Sequence, residues 1–271
     1  MIWPIKEMNL QLPHAKIDYI RFGNGPKPLV MIQGLNTRGI KGAGVPLAFL
    51  YRLFTKQYTV YLFERRPNVY DGITVRELAS DVAMAMDTLN LGAADVIGVS
   101  QGGMIAQYLA IERPDLVNKL VLAMTICRNN STVKSVIDRW LTLTSQGNMK
   151  LLIADMAEKM YSDAYLKRYR PLLPLLTILQ KPKDVERFMI LSKACLTCNT
   201  YENLDQIRCP VFVIGSKHDK IVGAEAAAEL AEKLQCSSLI YEHLGHAAYE
   251  EANDFNHAVL AFFNQNNSSI T

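Results

Sequence analysis

Val96-Ile-Gly-Val-Ser-Gln-Gly-Gly-Met-Ile-Ala-Gln107 decides the fold. An apolar run of strand character (Ala94, Val96, Ile97, Val99) meets a polar Ser100. Apolar residues at helical spacing, Met104, Ile105, Tyr108 and Leu109, begin almost at once. The pentapeptide Gly98-Val-Ser-Gln-Gly102 fits G-x-S-x-G. A strand that turns directly into a helix must hold its apex residue in a strained backbone conformation. Small residues on either side let strand and helix pass close together. The product is a serine hydroxyl standing clear at the sheet end. A helix N-terminus beneath it offers unpaired N–H groups and a positive dipole end. The N–H of Gln101 is predicted to face a developing oxyanion.

Outward from this stretch, strands and helices alternate. Strand patterns cover Ile17 to Phe22, Leu29 to Ile32, Thr59 to Phe63, Leu120 to Met124, Val211 to Ile214 and Ser238 to Tyr241. Helical periodicity covers Thr74 to Leu89, with Thr74 and Glu77 forming a capping box, then Ala224 to Leu234 and Phe255 to Phe263. The alternation predicts an α/β protein, its mostly parallel central sheet covered by helices on both faces. Between residues 128 and 200 only helical patterns appear: Val133 to Thr144, Lys150 to Met160, Asp163 to Tyr169, Leu172 to Leu179 and Asp184 to Leu196. We read a core domain of residues 1–127 and 201–271 interrupted by a helical cap, 128–200. Open α/β sheets bind ligands beyond the carboxyl ends of their strands, where such a cap belongs.

The 271 residues carry a net charge of +3 with no strongly basic face, so nucleic acid is not an expected partner. No apolar run approaches a membrane span, and the N-terminus does not read as a signal peptide. Five unevenly spaced cysteines suit reduced thiols and a cytoplasmic location. Cys195-Leu-Thr-Cys198 lacks a second pair and reads as two ordinary helix cysteines. No metal site is predicted. A homodimer is compatible with the sequence.

A serine hydroxyl needs a base, and the base an orienting acid. Of five histidines, His14 and His257 read as surface residues, His218 as a loop residue and His243 as turned away. His246, a short loop beyond the last strand, is the expected base. Asp219, on the loop leaving the preceding strand, is the expected acid, with a turn residue as its ordinary alternative. The order Ser100, Asp219, His246 is the one that accompanies this elbow. The second oxyanion donor is assigned to the N–H of Leu35, on the loop after Leu29 to Ile32. Gln33 and Gly34 lie beside it as substrate-binding candidates, and Asn36 offers a side-chain donor to the pocket.

Together these residues resemble the α/β-hydrolase superfamily over nearly the whole chain. Gly98 to Gln107, with Ile111-Glu-Arg-Pro-Asp-Leu-Val-Asn-Lys-Leu-Val-Leu122, is similar to the family's elbow, helix and next strand. Cys209-Pro-Val-Phe-Val-Ile-Gly215 with Asp219-Lys-Ile-Val222 is similar to its acid loop, and Gly245-His246 with Glu250-Glu251 to its histidine loop. The resemblance implies a helical cap, no cofactor, an acyl-enzyme and water as second substrate. It implies a serine hydrolase acting on a small carboxylic ester or related acyl compound. Carbon–carbon bond hydrolysis, perhydrolase chemistry and non-catalytic ligand binding stand as alternatives. The chain departs from the family in Gln33 where His is usual, in Glu64-Arg-Arg-Pro-Asn68 after the fourth strand, and in one extra residue before Asp219. Gly39 to Gly44 reads as a mobile loop at the pocket mouth, and Tyr161, Tyr165 and Tyr169 as one helical face.

Overall fold

A computed structural model describes residues 4–169 and 182–265. Eight strands form one sheet: β1 (Lys6–Gln11), β2 (Lys16–Gly23), β3 (Lys27–Ile32), β4 (Tyr58–Phe63), β5 (Ala94–Val99), β6 (Val117–Ala123), β7 (Val211–Ser216) and β8 (Ser237–Tyr241), in the order β1-β2-β4-β3-β5-β6-β7-β8. The β1–β2 and β2–β4 pairs are antiparallel. From β4 through β8 every pair is parallel, so those strands end at one edge.

Strand side chains alternate between the two faces. Val30, Ile32, Val96, Leu120, Leu122 and Val213 join one buried cluster, with α2 (Val75–Thr88), α3 (Gln101–Glu112) and a helix at Ala226–Leu234. Leu29, Met31, Ile97, Val99, Val121 and Ile214 join the other, with α1 (Gly44–Leu50) and the closing helix Phe255–Asn264. Both faces being covered explains why these strands read as continuous apolar runs. The Thr74 capping box is present, its hydroxyl accepting from Glu77 N–H while the Glu77 carboxylate accepts from Thr74 N–H.

The elements absent from the sequence reading include β1 and α1. The edge strand β1 is exposed along nearly its whole length, so it shows no apolar face to read. Helix α1 begins within the glycine-rich stretch, and Glu7 of β1 accepts from the N–H groups of Gly42 and Gly44 at 2.9 Å each. The loop expected to be mobile is thus bonded to the sheet edge.

Between β6 and β7 the chain forms α4 (Ser131–Ser145), α5 (Met149–Met160), α6 (Asp163–Tyr169) and α7 (Val185–Cys195), with no strand among the described residues. The expected helix at Leu172 to Leu179 lies outside the described residues. The insertion is closed at its base. Thr200 N–H donates to Cys127 O at 2.7 Å, and Arg128 bridges Asn199. Trp140, Leu152 and Phe188 of the insertion bury into the same cluster as the core's first face. Tyr161 is not on the α6 face. It ends α5 with extended backbone, though its ring still stacks on Tyr165 at 4.6 Å. The side chain of Tyr169 lies outside the described residues.

The glycines at the β5–α3 turn are there for space. A Cβ on Gly102 would lie 1.9 Å from Ile32 O, and one on Gly98 would lie 2.7 Å from Gly103 Cα. Backbone on both sides cannot yield cheaply, so Gly102→Ala is expected to destabilise the protein by about 3 kcal/mol. Chemical denaturation checks this, and an unchanged midpoint would contradict the packing.

Candidate active site

Ser100 stands at the apex with φ 54° and ψ −120°, a region that L side chains rarely occupy. Its surroundings hold it there. Ser100 N–H donates to Ala123 O of β6 at 2.9 Å, and Ser100 O accepts from Thr125 Oγ1 at 2.8 Å and from Gly103 N–H at 2.9 Å. The loop after β3 crosses beside it, so that a Cβ on Gly34 would meet Ser100 Cβ at 3.2 Å and Oγ at 3.7 Å.

Beyond β7 and β8 the other two predicted residues meet. His246 Nδ1 and Asp219 Oδ2 are 2.7 Å apart, both side chains buried. Asp219 uses its second oxygen in the turn, where Oδ1 accepts from Ile221 and Val222 N–H at 2.9 Å each. The turn and the pairing with His246 therefore use different oxygens of Asp219. With Nδ1–H given to the carboxylate, His246 Nε2 is left as an acceptor. Ser100 Oγ makes no hydrogen bond among the described residues. His14, His218, His243 and His257 are exposed.

The two predicted oxyanion donors, Leu35 N–H and Gln101 N–H, also make no hydrogen bond among the described residues. The Gln101 side chain, fully buried, ties the elbow to the insertion by donating to Leu191 O of α7 at 2.7 Å. Asn36 is engaged within its own loop and by the end of β4. Its amide donates to Glu64 at 3.3 Å and accepts from Gly39 N–H at 2.8 Å. Gln33 Nε2 is buried without a hydrogen-bond partner.

Contacts from the insertion also brace the histidine loop. Ala247 N–H donates to Met160 O at 2.7 Å, and Glu251 accepts from Ser162 N–H at 3.0 Å. Tyr161 donates to Glu250 at 2.8 Å. These partners lay beyond sequence reasoning, because their counterparts are distant backbone groups or residues of the insertion.

Cys195 and Cys198 are buried thiols. Burial pushes Cys195 up to about 11, against a hydrogen bond from Gln101. Both are expected to resist iodoacetamide at neutral pH in the native protein and to react once it is unfolded, as mass spectrometry would show. Among the described residues no cluster of candidate ligands could hold a metal ion, and no helix is long and apolar enough to cross a membrane.

Residues 27–146 match the family model for the alpha/beta hydrolase fold. A protein of Caulobacter sp. strain K31 assigned as the carbamate hydrolase RutD is 28% identical over 236 residues, which cover 83% of this chain and 87% of that one. MGS-M2, an alpha/beta hydrolase enzyme from a Medee basin deep-sea metagenome library, superposes with a TM-score of 0.83 at 20% identity, covering 96% of this chain and 98% of its own. The enol-lactonase of Burkholderia xenovorans LB400 also gives a TM-score of 0.83, at 19% identity, over 95% of this chain and 100% of its own.

Proposed function

An α/β hydrolase by fold, the chain is, we propose, a serine hydrolase that cleaves a carboxylic ester or a related acyl compound. The observation that carries this reading is the buried His246–Asp219 pair, delivered to the sheet edge where Ser100 is held in a strained turn. In the proposed reaction Ser100 Oγ attacks the carbonyl and His246 Nε2 takes its proton. Asp219 orients the imidazole and stabilises its charge. The N–H groups of Leu35 and Gln101 bind the oxyanion. His246 then protonates the leaving group, water enters, and the acyl-enzyme is hydrolysed with His246 as base. These steps need no cofactor.

Gln33 and Gly34 form the wall beside the serine, and Asn36 holds that wall's loop against Glu64. The helices of the cap, 128–200, select the substrate by the shape they leave above Ser100. A carbamate and an enol lactone, the compounds named for two similar proteins, each present a carbonyl bonded to a leaving heteroatom. The same steps cleave either.

The test is intact mass after exposure to a fluorophosphonate, followed by peptide mapping. One adduct, on the peptide containing Ser100, is the expected result. No adduct on folded protein would sink the reading and leave a non-catalytic ligand-binding protein of the same fold in its place.

A further inference from the structure

The loop that carries Leu35 is held on its far side by Asn36, but its first residue supplies no side-chain anchor. Gln33 stands first in it, with its amide nitrogen buried and unbonded. The anchor comes instead from the neighbouring strand. Ile32 of β3 pairs with Phe63 of β4, so Gln33 and Gly34 leave the sheet beside Glu64 and Arg65. Arg65 is 5% exposed, and its Nη2 donates to both Gln33 O and, at 2.7 Å, Gly34 O.

A trans peptide is rigid and planar, with its C=O and the following N–H pointing to opposite sides. No cis peptide occurs among the described residues. Holding Gly34 O therefore sets the direction of Leu35 N–H. Bonding to a cation also draws electron density from the amide, which makes that N–H a better donor. Glu64 lies beside the guanidinium, its Oε1 3.8 Å from Arg65 Nη1, and the Arg65 backbone is tied down in turn. Arg65 N–H donates to Glu64 Oε1 at 2.8 Å, and Arg187 of α7 donates to both Glu64 Oε1 and Arg65 O at 3.2 Å.

We propose that Arg65 is a positioning residue that aims and polarises the Leu35 N–H of the oxyanion site by holding the carbonyls of Gln33 and Gly34. The proposal rests on the serine-hydrolase reading. Both bonds run from one nitrogen, Nη2, at the far end of the side chain, and a lysine would keep the charge while its ammonium ends short of that point.

The experiment compares wild type, Arg65→Lys and Arg65→Ala on an activated ester. It measures kcat, KM, Tm and affinity for a boronic acid that forms a tetrahedral adduct with the serine. Both variants are expected to lose about 10- to 100-fold in kcat. KM should hold, boronate affinity should fall in step with kcat, and added guanidinium ion should restore part of the Arg65→Ala rate. Wild-type kcat and boronate affinity in Arg65→Lys would overturn the proposal. So would failure of both variants to fold, because the guanidinium would then serve the whole fold rather than one loop. Absence of the fluorophosphonate adduct on wild-type Ser100 would instead defeat the serine-hydrolase reading beneath it.

Discussion

Ser100→Gly is expected to give a protein about 1 kcal/mol more stable than wild type and almost without activity. The serine occupies φ 54° and ψ −120° because its N–H donates to Ala123 O and its carbonyl accepts from Thr125 and Gly103, which leaves its backbone no alternative. Such a conformation costs an L residue of order 1–3 kcal/mol. Glycine adopts it freely but gives back part of the gain through a more disordered unfolded chain. On the proposed serine-hydrolase reading, loss of Ser100 Oγ is expected to lower kcat on an activated ester about 10⁶-fold, leaving the residual catalysis of the proposed oxyanion site and substrate binding. Urea denaturation and ester turnover test the two halves separately. A Ser100→Gly protein less stable than wild type would show that the turn is not strained.

Asp219→Asn is expected to cost about 10⁴-fold in kcat at nearly unchanged Tm. Two oxygens do different work here, and the turn decides how an amide would sit. The N–H groups of Ile221 and Val222 both need an acceptor at the Oδ1 position. An asparagine must therefore place its oxygen there and its NH₂ toward His246 Nδ1. The imidazole then has to accept at Nδ1 and carry its proton on Nε2, the wrong tautomer for taking a proton from Ser100. Steady-state kinetics beside a thermal melt make the check. Wild-type turnover in this variant would move the acid role to another carboxylate.

The elbow was legible because everything it needs is local: apolar strand, serine, flanking glycines and helical spacing adjoin one another in the chain. Asp219 and His246 were legible in the same way, each on a short loop after a strand pattern. What escaped was what topology alone brings together. Nothing near Arg65 in the sequence names its partners, which are backbone carbonyls more than 30 residues earlier. Asn36 showed a polar side chain near the site but not that Glu64 and Gly39 engage it. The strand β1 has no apolar periodicity because it is an exposed edge, and Tyr161 missed its helical face because α5 ends at Met160.

The bond from Thr200 to Cys127 and the bridge from Arg128 to Asn199 have a consequence for how such a protein diverges. The path of the chain from β6 to β7 closes at the base of the insertion, whatever lies above it. Lengthening an excursion whose ends already meet costs little, since each doubling of a loop adds only about 0.6 kcal/mol. What a replacement must supply is an apolar underside to cover the surface now met by Trp140, Leu152 and Phe188. It must also supply the acceptors and donors that Met160, Ser162, Arg187 and Leu191 now give to the loops around Ser100 and His246, so on the proposed function a change of substrate preference by exchange of this insertion is constrained by the contacts at its base and underside.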